Sequence, residues 1–509
     1  MSERLALNSP VESVSVHPGR STSRSYVWLV AVAVGFTTAQ LVLVVPGTGL
    51  GWDETIYVSQ VGGNAPPAFF SAPRARGISF LVAPVAALTA STTAIRIYLG
   101  LLSGGALFTC LWIWRRLLPP PVLACAGALF ASLWITLFYG PSAMPNLWGG
   151  LGALAAVGWF LRAVTGTGDR WAGIGIGIAV AVVTLMRPAD GLWLALPLAA
   201  SALLVPGRRR PMICAVVVAG FLIGAAPWVI EAYAHYGGLA ARLHRASEIQ
   251  GGLGWHLAVD DQVRALDGRI LCRPCTVPWK HPFAAVWWFA LQVLVAGGIA
   301  AAVHARRGHA AVLATTCAAS LAAQYLFLID YAAPRFLLPA YALLALPVAE
   351  CLVFALTGMR PALRPVTATV LVLGLAGHLA IQYRVLAHVV GGNRAMRENY
   401  TATAAALHRL GVRPPCMVSG FEAIPIAYYA GCASRQPSGH DASITPDGIT
   451  AAARRMPVAV VVAGSAAQPP RYARSWRPAV LPHVHGRGPY RVYLSPTAVR
   501  SAKEQEAPR

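Results

Sequence analysis

Residues 26–57 read YVWLVAVAVGFTTAQLVLVVPGTGLGWDETIY. Positions 26–46 carry no charge, and about 20 apolar residues is what a helix needs to cross the hydrocarbon of a bilayer. A Pro-Gly step then leads to two adjacent carboxylates, Asp53 and Glu54, in a chain with only 19 Asp+Glu among 509 residues. A membrane span ending in an acidic pair raises two questions: how often such spans recur, and what the scarce acids at their ends do.

Similar runs lie near 92–114, 120–139, 144–163, 171–186, 190–206, 211–233, 283–304, 309–329, 335–356 and 363–385, making eleven candidate spans. Charged residues are 12% of the chain and hydrophobic ones 56%, against roughly 25% charged in a soluble domain. The formal net charge of +22 would by itself suggest a nucleic-acid partner. Recurrent apolar runs exclude that class, and the composition excludes disorder, collagen and a small disulfide scaffold.

Arginine placement predicts orientation. With a cytoplasmic N-terminus, the inner loops hold Arg115 and Arg116, Arg162 and Arg170, Arg208–Arg210, Arg306 and Arg307, and Arg360 and Arg364. The short outer connections hold Arg187 and Arg335 singly. An odd number of spans puts the C-terminal segment outside. The expected fold is a polytopic α-helical membrane protein with a small C-terminal extracytoplasmic α/β domain. Its parts would be a cytoplasmic tail (1–25), a transmembrane unit (26–385) with outer loops 47–91 and 234–282, the α/β domain (386–496) and a disordered tail (497–509). Within the α/β domain, 394–410 and 422–430 read as helices, and 416–419, 457–463 and 488–494 as strands.

Four cysteines lie in polar segments, all on the predicted outside: Cys272, Cys275, Cys416 and Cys432. An oxidising exterior permits disulfides, so Cys272–Cys275 and Cys416–Cys432 are the expected pairs, with zinc binding the competing reading. Nine of the eleven acids between 27 and 386 also fall at outer ends, leaving Asp169 and Glu350 inside. Glu350 would be satisfied by reaching toward the inner surface.

The chemistry-bearing stretch is Gly51-Trp52-Asp53-Glu54-Thr55-Ile56-Tyr57, suited to a short helix on the membrane surface. It is followed by Ser71-Ala72-Pro73-Arg74-Ala75-Arg76-Gly77. A carboxylate can take the proton of an incoming hydroxyl, and guanidinium groups can grip a departing phosphate. The plainer alternative is that Asp53 caps its helix while the arginines meet lipid head groups. Arg187 and Arg335, each beside a proline at an outer span end, divide between interfacial anchoring and phosphate contact. Asp330 would pair with Arg335 or orient an acceptor. Lys280 and His281 would reach a donor phosphate or anchor the interface beside Trp279. Glu54 would support Asp53 or raise its pKa.

The acidic pair Asp53-Glu54 with Tyr57 resembles the signature of the GT-C superfamily, polytopic glycosyltransferases that take sugars from polyprenyl-phosphate carriers on the outer membrane face. Within it the chain looks most like the protein O-mannosyltransferase and lipid A aminoarabinose transferase group. Arg187-Pro188, Asp330-Tyr331, Arg335-Phe336-Leu337-Leu338-Pro339 and the segment from Gly420-Phe421-Glu422 to Tyr428-Tyr429-Ala430-Gly431 extend the resemblance over most of the chain. It implies Asp53 as catalytic base and Arg74 and Arg76 as phosphate ligands, although Pro-Arg-Ala-Arg stands where aminoarabinose transferases usually show Lys-Pro-Pro. No Trp-Trp-Asp motif of oligosaccharyltransferases is present.

The resulting expectation is an inverting transferase moving one sugar from a polyprenyl-phosphate donor to an extracytoplasmic acceptor, with the bilayer as partner and no nucleic acid. A transporter or flippase for a lipid-linked substrate is the rival reading. No cofactor follows from the sequence, and a divalent metal on Asp53 and Glu54 stays open.

Overall fold

The structure is a computed structural model describing residues 22–506, apart from 166–169, 206–209, 274, 276–277, 280, 465–467 and 482–489. The expected tail up to residue 21, Asp169, Arg208, Arg209 and Lys280 therefore lie outside the described residues.

The chain is a multi-pass membrane protein. Among the described residues eight helices are long and apolar enough to cross a membrane: Tyr26–Val44, Thr92–Trp114, Pro145–Val164, Pro211–His235, Pro282–His304, Gly308–Phe327, Pro334–Thr357 and Pro361–Arg409. Each coincides with an expected span. The other three expected spans form shorter apolar helices, Pro120–Ser132, Ala172–Met186 and Pro188–Leu204.

The run 120–139 is not one helix. Leu133 is extended (φ −61°, ψ 133°) and divides it into Pro120–Ser132 and Trp134–Tyr139. A break inside an apolar bundle frees backbone groups that lipid cannot satisfy. Gln382, buried on the last span, supplies the acceptor: its Oε1 takes the Trp134 N–H at 2.8 Å.

Burial separates the centre of the bundle from its rim. Helices Pro145–Val164 and Pro334–Thr357 are each 83% buried over their most apolar window, whereas Pro282–His304 and Pro361–Arg409 are 17% buried and face outward. Close approach at the centre needs small residues. A side chain on Gly150 would stand 3.3 Å from the Leu338 carbonyl oxygen. Glu350 is satisfied by Arg307, an arginine of an expected inner loop, which donates to it bidentately at 2.8 and 2.7 Å. A buried carboxylate is better satisfied by a fork of donors than by a long reach to water.

The expected boundary at 385 is also corrected. A single helix, Arg364–Arg409, runs 46 residues from the last span into the C-terminal domain, passing through Gly391 and Gly392. Each mid-helix glycine costs about 1 kcal/mol. Packing of Tyr400, Ala404 and Leu407 into the core of the C-terminal sheet offsets that cost and keeps the helix continuous.

The sheet has five strands: β1 (Met417–Gly420), β2 (Ala433–Ser434), β3 (Val458–Ala463), β4 (Arg477–Val480) and β5 (Tyr490–Leu494), in the order β2-β1-β3-β5-β4. β1 runs parallel to β2 and β3, and β5 antiparallel to β3 and β4. Alternate residues of β3 enter different cores. Ala459 and Val461 join the long helix and Ala423–Ala430, whereas Val458 and Val460 pack with Ile449 and Trp476 on the other face. The tail expected to be disordered is helical over Pro496–Glu506. Ser495 Oγ accepts the Ala498 N–H at 3.3 Å as a cap, and Ala498 is buried against the sheet.

Both expected disulfides are present, with Cα–Cα distances of 4.9 Å for Cys272–Cys275 and 4.8 Å for Cys416–Cys432.

Candidate active site

The short helix after the first span is Trp52–Ser59, and its N-terminus explains why the two adjacent acids part ways. Glu54, at the third helical position, turns back and accepts the Gly51 N–H at 2.9 Å. Arg96 donates to that same oxygen at 2.9 Å, and the other oxygen accepts the Ala143 N–H at 2.8 Å. Arg96, fully buried on helix Thr92–Trp114, also donates to the Gly49 and Pro141 carbonyls and to Ser142 Oγ. Glu54 is thus the cap and an anchor between two spans.

Asp53, one residue earlier, is left to point outward. Its Oδ1 accepts from Arg74 Nη2 at 2.8 Å and its Oδ2 from Arg335 Nη2 at 3.1 Å. Asp53 is therefore no helix cap. The two arginines come from distant places: Arg74 from the loop after the helix, Arg335 from the 3-10 turn Pro334–Leu337 that opens a central span. Arg335 also donates to the Ile270 carbonyl at 3.1 Å. Burial pushes the Asp53 carboxyl up, but Arg74 and Arg335 outweigh it and hold it below its ordinary value of 3.8. Burial likewise pulls Arg74 down, and Asp53 with Asp441 more than compensates, so Arg74 stays cationic.

These groups line a cavity of about 360 Å³ at the end of the bundle. Its charged walls are four arginines, Arg74, Arg187, Arg273 and Arg335, and two aspartates, Asp53 and Asp441. Arg187, just ahead of helix Pro188–Leu204, stands 4.0 Å from Asp190 and over the rings of Tyr325 and Phe336. Asp190 is held in turn by Gln324 Nε2 at 2.7 Å and by the Tyr325 hydroxyl. Tyr57 lines the same cavity, and burial pushes its hydroxyl above the ordinary range, so it serves as a neutral donor.

Other expected site residues lie elsewhere. Arg76 is turned to Glu231, to Gln60 Oε1 at 2.8 Å and over the Phe70 ring, away from the cavity. Asp330 is exposed and sits over Gly251 (φ +91°), so it is not the partner of Arg335; Asp53 is. His281 is exposed and off the cavity wall.

The structure adds residues the sequence did not single out. Asp441 and His440 reach in from the C-terminal domain. Asp441 accepts from Arg74 Nη1 at 3.1 Å and from the Trp52 indole at 3.3 Å. Arg242, fully buried between Trp228 and Tyr236, donates to the Ala72 and Arg74 carbonyls at 3.1 and 3.0 Å and fixes the loop that carries Arg74. Arg96 could have been found as an arginine inside an apolar run, a costly placement that needs a partner. Nothing local marks Asp441, which is brought in by the fold.

A divalent metal does not fit this arrangement. Both Asp53 oxygens face guanidinium groups that would repel a cation, and among the described residues no group of three His, Cys, Asp or Glu side chains converges. What the cavity can hold is an anion at the membrane surface, beside a carboxylate able to take a proton.

The fold, an apolar bundle with an acidic surface helix after its first span and an α/β domain over the same end, is shared with solved structures. The chain is similar to ArnT from Cupriavidus metallidurans bound to undecaprenyl phosphate, at 12% identity and a TM-score of 0.64, covering 94% of this chain and 99% of that one. The apo form of the same protein gives a TM-score of 0.65 at 12% identity, with the same coverage of 94% and 99%. The apo Archaeoglobus fulgidus oligosaccharyltransferase gives 0.53 at 12% identity, covering 87% of this chain and 70% of that one. No protein-family model and no curated protein matches the sequence.

Proposed function

We propose that the protein is an inverting glycosyltransferase that moves one sugar from a polyprenyl-phosphate donor to an acceptor outside the membrane. The observation that carries this reading is Asp53 held between Arg74 and Arg335 on the wall of an arginine-lined cavity. ArnT, similar in fold, has been solved with undecaprenyl phosphate bound, a ligand whose chemistry suits this cavity.

In the proposed reaction Asp53 takes the proton of the acceptor hydroxyl as its oxygen bonds to the sugar's anomeric carbon. The bond from that carbon to the phosphate oxygen breaks, and its electron pair stays on the phosphate. One displacement inverts the anomeric centre. Phosphate leaves readily, so no acid catalyst is required. The shared arginines couple the two ends of the reaction. As a donor phosphate draws on Arg74 and Arg335, their hold on Asp53 loosens and its basicity rises. Once Asp53 is protonated, the same guanidinium groups are released to the charge developing on the phosphate.

Arg187 and Tyr57 would bind the donor phosphate with Arg74 and Arg335, whereas the contacts of Arg76 and Glu54 favour bracing roles. Arginine placement and the two disulfides at the cavity end support an extracytoplasmic site with a cytoplasmic N-terminus. The transporter or flippase reading is less well supported, because the cavity lies at one end of the bundle. Transport sites lie near the midplane.

The test is transfer by the purified protein in nanodiscs, offered undecaprenyl- and decaprenyl-phosphate monosaccharides and an envelope fraction as acceptor. Release of polyprenyl phosphate with appearance of the sugar on an acceptor is expected from one donor. Movement of intact donor across a proteoliposome without cleavage would replace this reading with transport.

A further inference from the structure

The contact between Asp441 and Arg74 has no role in the reaction as described, yet it takes up the donors a phosphate would need. Arg74 Nη2 is on Asp53, and Nη1 is on Ser71 Oγ and Asp441 Oδ1. Asp441 is held in place by the Trp52 indole on its other oxygen. The side chains of Arg74 and Asp441 are 13% and 11% exposed, so water screens the pair only partly.

Charge arithmetic gives the contact a purpose. The donor is a phosphodiester with one negative charge. The product lipid phosphate is a monoester that approaches two, with a second pKa of about 6. Three arginines, Arg74, Arg187 and Arg335, that bind the donor adequately would hold the product more tightly still. A carboxylate that can return to Arg74 offsets this.

We propose that Asp441 is a positioning residue contributed by the C-terminal domain, competing with the lipid phosphate for Arg74 and promoting release of the polyprenyl phosphate product. The inference rests on the reading above, that Arg74 meets the lipid phosphate. The loop that carries Asp441 is built for a fixed placement. Gln436 at its start exchanges hydrogen bonds with Gly420 of β1 at 3.1 and 2.7 Å, and Gly439 turns the chain with φ +84°. Domain and bundle thus share the guanidinium of Arg74.

The test measures binding and dissociation of tritiated undecaprenyl phosphate on the full-length protein in detergent micelles. Asp441→Asn keeps the shape and the acceptor oxygen but removes the charge. It should tighten binding about tenfold, mainly through slower dissociation, while Asp441→Glu restores wild-type behaviour. Trp52→Phe, which frees Asp441 from its indole anchor, should shift affinity in the same direction by less. A role confined to docking the domain predicts the opposite sign. Unchanged or weaker binding in Asp441→Asn, at a wild-type melting temperature, overturns the competition. Arg74→Gln separates the two levels: wild-type affinity there removes the phosphate reading itself. Loss of affinity in Arg74→Gln with no gain in Asp441→Asn removes only the role of Asp441.

Discussion

Asp53 and Arg335, at opposite ends of the transmembrane unit in sequence, are joined at 3.1 Å. That contact pins the short helix Trp52–Ser59 to the opening of the central span Pro334–Thr357. Arg74 and this contact together keep Asp53 ionised. A carboxyl depressed in the folded state is charged throughout the neutral range, and its contribution to stability is lost only as pH falls through the lowered value. The efficiency of transfer at low donor, which reports the donor-free protein, should therefore show no acid limb from Asp53 above about pH 5. Arg335→Gln removes one of the two cations and should bring that limb upward, alongside a lower maximal rate. Rate against pH for the two proteins checks this.

Glu54 and Arg96 should matter through the fold. Their side chains are 7% and 0% exposed, and Glu54→Ala leaves a buried guanidinium without its partner. The expected loss is about 3–5 kcal/mol. Thermal unfolding in detergent reads it directly, and an unchanged midpoint would contradict the bracing role.

Arg187 and Arg76 should separate in binding. Arg187 faces the cavity with only a 4.0 Å ion pair to Asp190, whereas Arg76 is committed to Glu231. Arg187→Gln should weaken undecaprenyl phosphate binding by about ten- to a hundredfold, as expected for a charge-assisted contact. Arg76→Gln should change affinity by less than about threefold. Equilibrium binding of the labelled lipid distinguishes them.

The Cys416–Cys432 disulfide closes a loop over a sequence separation of 16 that carries helix Ala423–Ala430. Replacing both cysteines by serine should cost about 3 kcal/mol. The C-terminal domain should then become protease-sensitive before the bundle does, which limited proteolysis reads.

Much of the fold was legible because lipid imposes a simple rule on sequence. Every span of the bundle shows as an apolar run, and both cysteine pairs lie in polar segments outside those runs. Places where the rule failed have local causes. Leu133 interrupts a run that looks continuous, because Gln382 makes the break affordable. Gly391 and Gly392 look like a helix end but are overridden by packing on the sheet. In the site, Asp53, Tyr57, Arg74, Arg187 and Arg335 were visible as charged or aromatic residues at span ends. Glu54 and Arg76 were equally visible and lie off the cavity: one residue along a helix turns Glu54 by 100° from Asp53, and Glu231 draws Arg76 aside. Asp441, His440 and Arg273 could not be read locally. They enter the cavity through the tertiary placement of the C-terminal domain and of the Cys272–Cys275 loop.

The central claim is that Asp53 takes the proton of the acceptor. Its most direct test is single-turnover transfer from the active polyprenyl-phosphate sugar by Asp53→Asn, with folding and insertion matched to wild type. A general base accounts for about 10²–10⁴ in rate, so the rate should fall by that range or more while donor binding is retained. Transfer at the wild-type rate in Asp53→Asn would contradict the account.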